Sequence, residues 1–139
     1  IGDVKKNPRM HIPIIGNGDI TDGPSARRAL DEAGVDGIMI GRGAIGSPWV
    51  FKQIRHFLKS GQELPEPGLA ERLTLCRRHL LDSVQWKGER TAILEMRKHY
   101  SRYFSAIAHF KPLRMRLVTA LTLEEIEKVF ADIQRMSED

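Results

Sequence analysis

Cysteine, aromatic residues and long apolar runs are scarce in this sequence of 139 residues. The single cysteine, Cys76, excludes an internal disulfide and a cysteine-rich zinc site. No apolar run approaches the ~20 residues that a transmembrane helix needs, and the first residues lack the basic-then-apolar order of a signal peptide. These absences predict a protein of the reducing cytoplasm that has no membrane partner.

Residue sets for common catalytic mechanisms are also missing. The five histidines are scattered and do not show the spacing of metal ligands, and no Ser/His/Asp set is visible. Cys76 has leucines as its neighbours on a predicted helix, which favours a buried and inert thiol over a nucleophile. The sequence therefore assigns neither a catalytic residue nor a metal ligand.

The stretch 12–42 alternates short apolar runs with a helix and with loops that contain glycine. The runs at 12–15 and 37–40 predict two parallel strands that are buried on both faces, because a helix separates them. That helix is predicted over 25–33, with Pro24 at an early helical position and Gly34 as its left-handed cap. The pattern predicts an α/β fold.

Glycine loops follow both predicted strands, at the ends where α/β folds place their ligands. A phosphate group needs several converging backbone N–H groups with no Cβ in the way, which Gly16, Gly18 and Gly41 permit. Arg42 adds a charge-assisted hydrogen bond to an anion. Glycines that only form tight turns are the alternative, and Asn17 and Asp19 either orient a ligand or satisfy the turn.

A second helix is predicted in the first part of the chain, followed by a linker. Ser47 is its expected N-cap, Pro48 occupies N1, and Gly61 ends it. The segment 61–68 contains two glycines and two prolines, which stop both helix and strand. We therefore place the first domain at 1–60 and the boundary in this linker.

Only helices are predicted after the linker. Thr122 opens the last of them, with Glu125 at the capping-box spacing. Four helices with short connections indicate a small all-α bundle over 69–139. Their predicted ranges are 69–86, 89–106, 112–119 and from 122 onward.

Positive charge is concentrated in residues 87–116, where eight Lys and Arg stand against Glu89 and Glu95. A helix normally mixes charges of both signs, because like charges four residues apart destabilise it. A solvated helix face is the alternative, but this surplus favours a polyanion partner, most commonly a nucleic-acid backbone. The candidate contacts are Arg90, Arg97, Lys98, Arg102, Lys111, Arg114 and Arg116.

Two strings, IPIIGNGDI at 12–20 and GVDGIMIGRGAIGSPWVF at 34–51, resemble the tRNA-dihydrouridine synthase family. HYSRYF at 99–104 and HFKPLRMRL at 109–117 are similar to the C-terminal helical domain of that family. The resemblance covers nearly the whole chain. It is strongest to the bacterial B-type branch, which also carries a nitrogen-regulation label.

The resemblance implies an FMN-binding (β/α)8 (TIM) barrel followed by a helical tRNA-binding domain. In the family, reduced FMN, supplied with hydride by NADPH, reduces the C5–C6 bond of a tRNA uridine, and a cysteine acts as general acid. The family motifs after strands seven and eight hold the FMN phosphate. They match Asn17, Gly18, Asp19, Gly41 and Arg42 in this sequence.

The resemblance further predicts that the chain is a C-terminal fragment, with the last two βα units in 1–60 and the tRNA-binding helices in 69–139. The family's catalytic residues lie on earlier strands, so we expect no synthase activity from these residues alone. Unpaired strand edges should pair with the remaining barrel of the same protein or with a second copy. A non-catalytic RNA-binding module, or part of another phosphate-binding flavin barrel oxidoreductase, is the alternative.

Overall fold

The computed structural model describes residues 1–138. The chain divides into two compact units, Ile1–Pro65 and Glu66–Asp139. The division falls inside the segment 61–68, which contains neither helix nor strand. Within the described residues, no helix combines the length and the apolar character needed to cross a bilayer.

The first unit contains a two-stranded parallel sheet. Strand β1 covers Ile15–Asn17 and β2 covers Gly37–Met39, and Gly16 lies opposite Ile38. The parallel pairing that was predicted from the alternation of apolar runs and a helix is therefore present. β1 begins three residues later than the predicted apolar run at 12–15.

The expectation that both faces of these strands are buried was wrong. Gly16 is buried and Ile38 packs on the core of the unit, whereas Ile15 is 57% exposed and Met39 is 56% exposed. Successive side chains of a strand point to opposite faces, and the helices of this unit cover only one of them. An apolar face of the sheet is therefore left open to solvent.

Asp36 holds the starts of the two strands together. Its backbone N–H donates to the Ile14 carbonyl at 2.8 Å, and its carboxylate accepts the Ile14 N–H at 2.8 Å. The Lys5 ammonium also pairs with this carboxylate. The hydrogen bond from Lys5, followed by that from Ile14, keeps the pKa of the Asp36 carboxyl below its ordinary value.

Three helices and one 3-10 turn complete the first unit. α1 covers Gly2–Lys5, α2 covers Gly23–Ala33, the 3-10 turn covers Arg42–Ala44 and α3 covers Val50–Ser60. The core lies between α2, α3 and one face of the sheet, and it consists of Ile20, Ala26, Val50 and Ile54 with partly buried neighbours.

The ends of α2 follow its sequence. The Asp22 carboxylate accepts the Ser25 N–H at 2.8 Å while the Ser25 hydroxyl accepts the Asp22 N–H at 3.1 Å, which is a reciprocal capping box. Pro24 lies in the first turn, and Gly34 closes the helix with a left-handed φ of 59°. These two positions are where the sequence predicted them.

The predicted N-cap of α3 was wrong. α3 begins at Val50 with Trp49 as its N-cap, and no side chain caps it. Ser47 contributes its backbone carbonyl instead, which accepts the Val50 N–H at 3.1 Å in the turn before the helix. The turn therefore satisfies the Val50 N–H, which would otherwise donate to the hydroxyl of a serine N-cap. Gly61 ends α3 in a left-handed conformation, as predicted.

Within residues 66–138, the second unit contains four helices. α4 covers Leu69–Lys87, α5 covers Glu89–Tyr103, α6 covers Lys111–Thr119 and α7 covers Leu123–Glu138. These bounds agree with the predicted helices to within about three residues at each end, as is usual for helix termini. The largest fully buried side chains of the unit are Leu73, Leu80, Ile93, Met96, Tyr100, Tyr103, Leu117, Ile126, Phe130 and Ile133.

Two polar arrangements fix connections within this bundle. Thr122 and Glu125 form the predicted capping box, because Glu125 donates its N–H to the Thr122 hydroxyl at 3.2 Å and its carboxylate accepts the Thr122 N–H at 3.3 Å. The buried Arg72 donates to the Pro67 carbonyl at 2.8 Å and to the Ser105 carbonyl at 3.0 Å. Arg72 thereby joins the start of α4 to the chain that follows α5.

Candidate functional site

The two glycine loops of the first unit meet beyond the carboxyl ends of β1 and β2. The Arg42 Nη2 donates to the Asp19 Oδ1 at 2.9 Å. Gly43 lies so close to the other loop that an added Cβ would come within 2.6 Å of the Ile20 carbonyl oxygen. The parallel pairing of the strands therefore brings together residues that are 23 positions apart.

The backbone of the first loop takes conformations that few residues tolerate. Gly18 has a φ of 152° and Asp19 has a φ of 44°. Glycine adopts such angles freely, and Asp and Asn accept the left-handed region more readily than other residues. Cβ atoms built at Gly18 and Gly41 would meet no heavy atom within 4 Å, so the backbone at both positions is open to an approaching ligand.

The ion pair between the loops is solvent-accessible. The Arg42 side chain is 85% exposed and that of Asp19 is 88% exposed. Such a pair contributes roughly 0–1 kcal/mol, because water competes with both partners. A dianion at this position would have to compete with a single carboxylate for one nitrogen of the guanidinium. Asn17, the last residue of β1, is also exposed.

The seven basic candidates of the second unit separate into two groups. Six of them are exposed, and within residues 1–138 five of these six form no ion pair with a carboxylate. We call these five residues the cationic surface. It consists of Arg90, Lys98 and Arg102 on α5, and Lys111 and Arg114 on α6.

Arg97 and Arg116 instead bind within the protein. The Arg97 Nη2 donates to the Ala120 carbonyl at 3.2 Å, and its Nε is buried without a partner. The Arg116 Nη1 donates to the Asp132 Oδ2 at 2.6 Å. Asp132 belongs to α7, so the carboxylate that neutralises Arg116 comes from outside the basic segment of the sequence.

Two histidines that looked unrelated in the sequence meet between α4 and α5. The ring centroids of His79 and His99 are 4.7 Å apart, and the His79 Nδ1 lies 3.1 Å from the Tyr103 hydroxyl. Burial lowers the pKa of both imidazoles. His79 lies three residues after the buried Cys76, and His99 lies three residues after the buried Met96. This helical spacing is the sequence signal that both histidines face the helix interface.

Cys76 is completely buried, as its leucine neighbours predicted. Burial raises the pKa of its thiol, so the reactive thiolate does not form at neutral pH. Among the described residues, no group of three or more His, Cys, Asp or Glu is arranged to hold a metal ion. The remaining candidate residues are those of the two loops and of the cationic surface.

The comparisons with known proteins agree on one family. The sequence model described as "Dihydrouridine synthase (Dus)" matches residues 1–137. The chain is 42% identical over 105 residues to the "Probable tRNA-dihydrouridine synthase" of Rickettsia conorii, an alignment that covers 76% of this chain and 32% of the relative. It is 43% identical over 103 residues to the "tRNA-dihydrouridine synthase B" of Proteus vulgaris, covering 74% and 31% of the two chains.

A third relative, the "tRNA-dihydrouridine synthase B" of Pseudomonas putida, is 38% identical over 116 residues, covering 84% of this chain and 34% of its own. The chain thus spans about a third of the length of the curated relatives it matches. The family resemblance predicted from the motifs is confirmed. The chain belongs to the dihydrouridine synthase family.

Proposed function

We propose that this chain is part of an FMN-dependent tRNA-dihydrouridine synthase, in which the first unit contacts the FMN phosphate and the second unit contacts tRNA. Family membership supports the proposal, because the relatives are named for this reaction. The observation that carries it is the meeting of the two glycine loops, which puts open backbone and a guanidinium at one place.

The exposed sheet face supports the placement of the first unit in a barrel. Ile12, Ile15 and Met39 are each more than half exposed, although they are apolar. In a (β/α)8 barrel the inward faces of all the strands pack together in layers, and both edges of every strand are paired. Two βα units at the end of such a barrel would show this open face and these open edges when considered by themselves.

The loops fit a phosphate group in charge and in access. Arg42 would donate charge-assisted hydrogen bonds, while the open backbone at Gly18 and Gly41 lets N–H groups approach. The Asn17 amide would add a neutral donor, and Asp19 would orient the guanidinium. When bound, FMN would supply hydride for the uridine C5–C6 bond, with NADPH as reductant.

The cationic surface would bind the tRNA backbone. Its five side chains lack carboxylate partners among the described residues, so phosphates can bind them without displacing an internal ion pair. Arg97 and Arg116 would stabilise the bundle that presents this surface, because each already has a partner within it. This assignment narrows the RNA contacts from seven candidates to five.

These 139 residues by themselves would not catalyse the reduction. The family resemblance implies a cysteine as general acid, and Cys76 is the only cysteine here. Its thiol is completely buried in the second unit, and no substrate can reach it. We therefore expect no dihydrouridine from the purified chain with NADPH, FMN and tRNA.

Flavin binding tests the proposal directly. FMN should bind to the chain more tightly than riboflavin, which lacks the phosphate, when each is titrated by flavin fluorescence. Arg42→Ala should weaken FMN binding by about tenfold or more while leaving riboflavin unchanged, since a charge-assisted hydrogen bond contributes roughly 1.5–3 kcal/mol. Lys52→Ala removes an exposed charge from α3 and is the matched control. Equal affinity for the two flavins would refute the phosphate assignment.

A non-catalytic RNA-binding module is the second candidate. The cationic surface favours it, because that surface is built entirely from α5 and α6 of the second unit. This function predicts salt-dependent tRNA binding with no preference for FMN over riboflavin. The flavin titration therefore separates the two candidates.

A further inference from the structure

Trp86 is an exposed aromatic residue that neither the sequence motifs nor the proposed contacts explain. It lies in the last turn of α4 and is 84% exposed, the highest value among the large apolar side chains of the described residues. An indole contributes to stability chiefly by being buried. A ring left in water at this position contributes little to the bundle.

The ring of Trp86 is nevertheless held by its neighbours. The Lys87 Nζ lies 5.5 Å from the ring centroid, which is a cation–π contact. That ammonium also pairs with the Glu95 carboxylate at 2.5 Å, one and a half turns into the next helix. The ion pair with Glu95 keeps the Lys87 ammonium beside the indole, and most of the ring surface stays exposed.

Trp86 lies beside the start of the cationic surface. Only Gly88 separates α4 from α5, and the exposed Arg90 follows in the first turn of α5. Lys98 and Arg102 continue along the same helix, so the basic side chains of α5 extend for about 18 Å at 1.5 Å per residue. In the chain, Trp86 thus comes directly before the helix that carries three of the five cations.

We propose that Trp86 stacks on an unpaired base of the tRNA that the cationic surface binds. This inference rests on the proposed tRNA-binding function and adds a specific contact to it. Every base has a π-face, and proteins that bind single-stranded RNA combine basic grooves with aromatic side chains on which bases stack. Bases inside a duplex already stack on one another, so the contact selects a loop, a bulge or a strand end.

The surroundings of Trp86 favour a nucleic acid over a protein partner. Protein-binding patches have an apolar core that is depleted in charge. Here Glu95 neutralises the Lys87 ammonium beside the ring, whereas the exposed Arg90 in the following helix has no acidic partner among residues 1–138. A phosphate group beside the base would meet positive charge on this side.

Substitution of Trp86 in the full 139-residue chain tests the contact. Trp86→Ala should weaken binding of tRNA and of an oligouridylate of about eight nucleotides by roughly 5- to 150-fold, the range for loss of one stacked base. Trp86→Phe should retain most of the affinity, whereas Trp86→Leu, which is apolar without a π-face, should not. A blunt RNA duplex should bind all four proteins equally. The slope of log K against log salt should not change, because no phosphate contact is removed.

Fluorescence gives an independent measurement. The chain has two tryptophans, and Trp49 is only 8% exposed, so quenching by oligouridylate should come from Trp86 and vanish in Trp86→Phe. Unchanged tRNA affinity in Trp86→Ala, an equal loss on the duplex, or a change confined to self-association would each overturn the stacking contact. Lys98→Ala with Arg102→Ala tests tRNA binding separately. If that pair has no effect, the proposed function fails as well.

Discussion

Removal of two cations from α5 provides a quantitative test of the RNA surface. If all five residues of the cationic surface contact phosphates of a duplex region, the slope of log K against log salt is about −4.5, at ~0.9 per contact. Raising the salt from about 50 to 200 mM would then lower the affinity roughly 500-fold. In the double variant Lys98→Ala and Arg102→Ala, the slope should become about −2.7. The loss of affinity between these two salt concentrations should then be only roughly 40-fold.

The assay is tRNA binding measured by filter retention or fluorescence anisotropy at four or more salt concentrations. The matched control is Lys128→Ala with Arg135→Ala, which removes the same charge from α7, where both cations are already paired with carboxylates. A slope that falls equally in the control would mean that only net charge matters. A slope unchanged in the Lys98 and Arg102 variant would refute the assignment of RNA binding to this surface.

Three further predictions concern the stability of the units. Gly43→Ala should destabilise the first unit by about 1–3 kcal/mol in urea unfolding, because its Cβ would approach a carbonyl of the facing loop at 2.6 Å. Gly2→Ala in the same unit, whose Cβ would make only ordinary contacts at 3.6 Å or more, should be nearly neutral. Burial lowers the folded-state pKa of His79 and His99, so the unfolded chain binds more protons than the folded chain near that pH. The free energy of unfolding, measured by chemical denaturation, should therefore fall as the pH drops below ~6.5. His99→Gln should reduce this pH dependence. Thr122→Ala should lower the thermal midpoint in calorimetry, by the equivalent of about 1 kcal/mol, since it removes a helix cap.

The features that the sequence predicts well are those with local causes. Pro24 and Gly34 bound α2 because a missing N–H is tolerated in the first turn and a left-handed residue ends a helix. Thr122 caps α7 because its partner Glu125 is only three residues away. The parallel pairing followed from the order of apolar runs and helix. The strand pairing joins residues 22 positions apart, but the order of elements along the chain was enough to predict it.

The features that sequence reasoning missed depend on distant contacts. Arg116 counted as an unneutralised charge until α7 brought Asp132 to it across 16 residues. Arg97 lies in the basic segment but turns to the Ala120 carbonyl at the end of α6. A count of charges within one segment of the sequence omits the carboxylates that the fold brings near from other segments. It therefore overestimates the number of unpaired cations where helices pack together.

The pair between Asp19 and Arg42 illustrates the same difficulty at the loops, where both residues were candidates for one cofactor. A carboxylate beside a guanidinium at first argues against an anion site, because it already supplies the negative charge. With both side chains more than four-fifths exposed, however, the pair contributes at most about 1 kcal/mol, less than a charge-assisted phosphate contact. In the proposed site the carboxylate would orient the guanidinium at little cost to phosphate binding. An acidic neighbour is therefore compatible with a phosphate site, provided that the ion pair stays in water.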